Sequence, residues 1–101
     1  MLFSSFSFGQ ILSGPIKDEG RKLLTSTNFI IEGPANGFAK YELAVNREGK
    51  VTSVRLIETD LKSTPAKYEL RNHIVKLKFQ KGTYYPKFHH AIVRFTVVKP
   101  L

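Results

Sequence analysis

The sequence predicts a small α+β domain: an antiparallel sheet of three to four strands packed by one amphipathic helix, in the order strand, hairpin, helix, strand. Three observations predict it. Two alternating segments flank the turn REGK (47–50), a capped apolar stripe of helical period follows at 66–79, and a second alternating run closes the chain at 91–99. A hairpin exposes one apolar face and needs a helix to cover it, so these pieces belong to one fold. At 101 residues the chain holds one domain and is too short for two.

The first ten residues, MLFSSFSFGQ, have no place in that plan. Leu2, Phe3, Phe6 and Phe8 stand among serines, with no charge before Lys17. The run reads as the back half of a secretory signal; the alternative is a native extension or an edge strand. Residues 1–19 are therefore taken as an N-terminal extension and 20–101 as the domain. A short strand is expected near 28–32. GPANG (33–37) is a turn by composition, carrying Pro34 and two glycines.

In 38–46 the residues Tyr41, Leu43 and Val45 alternate with Lys40, Glu42 and Ala44, the period of a half-buried strand. Gly49 falls where the tight turn wants a positive φ. In 50–58 the apolar residues Val51, Val54, Leu56 and Ile57 break strict alternation, which predicts a bulge or a change of face. Ser63-Thr64-Pro65 starts a helix: a hydroxyl caps it, and proline fits its first turn. Ala66, Leu70, Ile74 and Leu77 form its stripe, flanked by Tyr68, Val75 and Phe79, and QKG (80–82) ends it. TYYPKFHH (83–90) reads as an irregular aromatic loop. In the last strand Ala91, Val93, Phe95 and Val97 face one way, and Ile92, Arg94, Thr96 and Val98 the other.

The absence of cysteine excludes disulfides, thiolate metal sites and cysteine nucleophiles. No apolar run approaches the roughly 20 residues that span a bilayer. Net charge is +8, and its location matters more than its size. Residues 1–61 carry seven basic and seven acidic residues, whereas 62–101 carry nine basic residues against Glu69 alone. Such asymmetry fits an acidic partner, or a solvated basic face. His89 and His90 are neighbours that an extended chain points apart, and His73 flanks the helix stripe, so no metal site is expected. No spaced pair of acids and no serine beside a base suggests catalysis. A non-enzymatic protein without a cofactor is the expectation.

The order YELAVNREGKVTSVRLIETD, then a helix closing on KLKF, then IVRFTVV resembles the C-terminal domain of the TonB family. The likeness rests on the Glu48-Gly49-Lys50-Val51 turn, the Lys78-Phe79 ending and the strand from Ile92 to Val97, and it covers residues 37–99. It implies a periplasmic protein-interaction module that engages an envelope partner, an outer-membrane transporter segment, by strand addition. The implied edge is the last strand: Ala91, Ile92, Val93, Arg94, Phe95, Thr96 and Val97, with Arg94 and Thr96 tuning partner choice. The same exposed strand could pair two copies. These 101 residues hold neither a hydrophobic anchor nor a long proline-rich arm, so a binding role is implied more than force transduction.

A second reading comes from KGTYYPKFHH (81–90). Tyr84, Tyr85 and Phe88 interleave with Lys81 and Lys87, and with Lys67, Arg71 and Lys78 they could form one basic aromatic surface for single-stranded nucleic acid or another polyanion. The plainer alternative is a loop whose aromatics cover the open end of the core.

Overall fold

The computed structural model describes residues 11–25 and 29–100. The elements are β1 (Ile11–Ser13), α1 (Pro15–Asp18), β2 (Ile30–Glu32), β3 (Gly37–Val45), β4 (Val51–Thr59), α2 (Thr64–Val75) and β5 (His89–Val98). The α+β class is as expected. The opening run MLFSSFSFGQ lies outside the described residues.

The hairpin forms because its turn closes cleanly. Asn46 Oδ1 accepts from the backbone N–H of Glu48 at 3.0 Å and of Lys50 at 2.9 Å, and Gly49 takes φ +86°. A Cβ at Gly49 would stand 2.0 Å from the Phe79 carbonyl oxygen, so glycine also makes room for the neighbouring chain. The broken alternation of β4 becomes two bulges: Thr52 and Ile57 are extra residues between the pairs Val45↔Val51, Ala44↔Ser53, Tyr41↔Leu56 and Lys40↔Glu58.

Ser63 caps α2, its hydroxyl accepting from the Ala66 N–H at 3.2 Å. The stripe Ala66, Leu70 and Ile74 is buried, followed by Leu77. The helix ends at Val75, shorter than its periodicity suggests, and Lys78-Phe79 continue as extended backbone bridged to Lys50 and Leu23. The helix stripe and Phe79 close the core against Ala39, Tyr41, Leu43 and Val45 of β3 and Ala91, Val93, Phe95 and Val97 of β5. Each buried Val, Leu, Ile or Phe among them stabilises the fold by roughly 1.5–3 kcal/mol, and each alanine by less. The opposite face is solvated, carrying the ion pairs Lys40–Glu58 and Arg55–Glu42.

The sheet runs β1-β5-β3-β4, with β2 also on β5. β3 pairs β5 antiparallel along its length, from Gly37↔Val97 to Val45↔His89. Two short strands share the other flank of β5: β1 antiparallel at Val93 and Ile92, and β2 parallel at Thr96, Val97 and Val98. The sheet is therefore mixed and, among the described residues, has five strands. The N-terminal boundary moves back as well. Ile16 is fully buried in the core, so residues 11–19 belong to the domain and are not an extension to it.

Candidate interaction surface

The predicted edge strand is not an edge. β5 lies inside the sheet, because the segment ahead of β3 folds back onto its far flank. Ala91, Val93, Phe95 and Val97 point into the core and are closed to any partner. Ile92, Arg94 and Thr96 face the solvated side, where the Arg94 guanidinium lies 4.4 Å from the Phe38 ring centroid.

The two coverings of that flank differ in grip. β1 is tied down by its neighbours: Ile11 packs on the core, Ile16 is buried in it, and Gly14 brings the backbone against β5. A Cβ at Gly14 would meet Ala91 Cα at 3.0 Å, and φ there is +106°. β2 is held lightly. Its bracketing bonds run from the Thr96 N–H to the Phe29 carbonyl and from the Gly33 N–H to the Val98 carbonyl, both 2.9 Å. Ile30 is 57% exposed, Glu32 is exposed and Ile31 half-buried. Phe29 and Ile31 pack against the core, the Phe29 ring centroid 4.7 Å from that of Phe95. Beside β2 lies a shallow groove lined by Ile30, Ile31, Glu32, Val98 and His73. Burial, and secondarily the Lys76 charge, push the His73 imidazole below its usual pKa.

The aromatic loop organises a buried polar cluster through Tyr85. Arg21 is almost wholly buried. Its Nε donates to the Gln80 carbonyl at 2.7 Å, one terminal nitrogen to the Asn46 carbonyl at 2.7 Å, and the other to His89 Nδ1 at 3.1 Å. The guanidinium also lies 4.1 Å from the Tyr85 ring centroid, and His89 stacks on that ring. Because Nδ1 accepts, the neutral ring carries its proton on Nε2, which faces Glu19 Oε2 at 3.3 Å. His89 is thus the buried first residue of β5 and no loop histidine. Its place was readable from parity: His89, Ala91, Val93, Phe95 and Val97 alternate without a break. Arg21 had no such signal.

Of the basic and aromatic candidates, Tyr85 is turned away from solvent. It is buried under Arg21, whereas Tyr84 and Phe88 are 74% and 60% exposed, with Lys87 Nζ 5.9 Å from the Phe88 centroid. Lys67 and Arg71 line a separate α2 groove with Thr64 and Tyr68. The Lys67 carbonyl accepts from the Tyr41 hydroxyl, midway along β3, while the loop is fastened beyond Val45 by Arg47, which donates to the Tyr85 carbonyl. Those anchor points are at least four residues apart, about 13 Å of strand. Lys78 sits on the bridge to Lys50, and Lys81 is exposed nearby in the chain.

Among the described residues no cluster of His, Asp and Glu could hold a metal ion, and no helix is long and apolar enough to cross a membrane. Comparison with protein-family models, with curated proteins and with solved structures found no match.

Proposed function

We propose that this domain is a non-enzymatic interaction module of the bacterial envelope that binds an extended segment of a partner protein by strand addition at β5, displacing its own β2. The resemblance to the TonB C-terminal domain supports the compartment and the class of partner, an outer-membrane transporter segment. The observation that carries the reading is the state of the β5 flank. A ten-residue strand is covered there by five residue pairs from two unconnected pieces running in opposite directions. A three-residue strand with two exposed positions contributes little burial, so an incoming peptide that reproduces its backbone bonds replaces it at small cost.

Amide-shift mapping with peptides from outer-membrane transporter plug regions tests this. Shifts are expected at residues 94–98 and in β2, with β1 unmoved. Ile31→Pro removes a backbone donor from the middle of β2 and should tighten peptide binding several-fold. Shifts confined to β4, or an affinity that falls in the proline variant, would overturn strand addition at β5.

A further inference from the structure

A second, smaller ladder lies at the turn end of the hairpin, and its outer face is basic. Residues 78–80 run between residues 22–25 on one side and 49–50 on the other. The Leu24 N–H donates to the Lys78 carbonyl at 2.8 Å, the Gln80 N–H to the Lys22 carbonyl at 2.9 Å, and the Phe79 N–H to the Gly49 carbonyl at 2.8 Å. The bridges Leu23↔Phe79 and Lys50↔Lys78 are both antiparallel. Alternation then sorts the side chains. Leu23, Leu77 and Phe79 turn inward, and Lys22, Leu24, Lys50 and Lys78 turn out to solvent.

This arrangement opposes folding in one respect. Lys50 and Lys78 are direct cross-strand partners, and like charges so placed repel. No acidic residue occupies a ladder position on that face, and the ion pairs Lys40–Glu58 and Arg55–Glu42 lie on the main sheet. Leu24 stands among the lysines at 61% exposure. Lysines without counter-charges around an exposed leucine match a membrane surface, where anionic headgroups meet the ammonium groups and the leucine enters the headgroup boundary. A nucleic-acid surface would offer aromatic platforms for the bases, and none of the outward ladder residues is aromatic.

We infer that the face formed by Lys22, Leu24, Lys50 and Lys78 binds anionic phospholipid headgroups at a membrane surface, reversibly and without insertion of a helix. Such binding requires nothing of β5, so it stands or falls apart from strand addition. Each lysine near an anionic bilayer contributes about fivefold to partitioning.

The test is co-sedimentation with phosphatidylcholine vesicles, with and without phosphatidylglycerol, at low and physiological salt. Binding is expected only to the anionic vesicles and should weaken steeply with salt. The double variant Lys50→Gln/Lys78→Gln should lose about 25-fold, two lysines' worth. Its thermal midpoint should hold or rise, since the repulsion is removed. Leu24→Ser should lose a further few-fold. The α2 variant Lys67→Gln/Arg71→Gln removes the same charge elsewhere and should leave most of the binding. No binding to anionic vesicles, or an equal loss in the α2 variant, overturns the inference. So does salt-sensitive binding to single-stranded DNA that only the Lys50/Lys78 variant abolishes, with vesicle binding unaffected.

Discussion

The two flanks of the sheet invite partners in opposite ways. Among the described residues β4 has no neighbour on its outer side, yet bulges at Thr52 and Ile57 break its rhythm and Arg55 and Glu58 charge it. Such features blunt an edge against pairing. β5 is straight, alternates without fault and is buried on its core face, but its outer flank is taken by pieces of the same chain. An open edge is thus made unsuitable, and a suitable one is kept occupied. The core follows the same division. β3 and β5 supply its aligned rows, whereas only Val51 and Val54 of β4 pack against it. The flank that matters for stability is also the one at which strand addition is proposed, and β2 is its lightly covered part.

The strongest way to break that comparison is to unfasten the strapped flank. Arg21→Met removes the donor shared by the Gln80 and Asn46 carbonyls and His89, leaving buried acceptors without partners. The expected loss is about 4 kcal/mol in urea denaturation, and a change below about 1 kcal/mol would show that the cluster does not hold the segment. Ile16→Ala opens a cavity where α1 meets the core and should cost about 3 kcal/mol. It should also speed amide exchange at Ile92, whose N–H lies on the flank that β1 covers, and leave Val93, whose N–H faces β3, little changed; unchanged exchange at Ile92 would count against β1 as a real covering.

A smaller effect distinguishes the groove beside β2. With its pKa lowered in the fold, His73 binds a proton less readily there than in the unfolded chain. In the window between the folded value and about 6.5, the unfolded state holds more protons, so stability rises with pH and is lost as pH falls through it. Urea midpoints across that range should slope accordingly, and His73→Gln should flatten the slope; equal slopes in both proteins refute the assignment. The least effect is expected on the open flank. Arg55 donates to the Glu42 carboxylate and is the main reason that its pKa is lowered, but both groups face water. Arg55→Ala should leave the melting temperature where it is, and a clear drop would mean that β4 carries more of the fold than its burial indicates.

What the sequence made legible was local. The REGK turn, the Ser63 cap, the broken alternation of β4 and the parity of β5 each announce themselves within ten residues, because turn chemistry and side-chain period act at that range. The coverings of β5 are set at long range. Ile11 pairs with Val93, and a three-residue strand is too short to display a period. The parallel pairing of β2 could not be read from its own residues either. The surface is set at long range for a related reason. Lys81, Tyr85 and Lys87 are close in sequence, but Tyr85 turns inward to Arg21. Lys22, Lys50 and Lys78, far apart in sequence, are brought onto one face by backbone bonds.

The central place of β5 has a consequence for the order of assembly. It is synthesised after the other described strands, and three of them require it. Until it exists, β3 has only β4 as a neighbour, β1 and β2 have no ladder to join, and His89 is not there to meet Arg21. A hairpin alone is marginal in water. Contacts spanning most of the chain also slow the search for the native state. Folding of this domain therefore waits for β5, and the emerging segment stays extensible until His89–Val98 have been made.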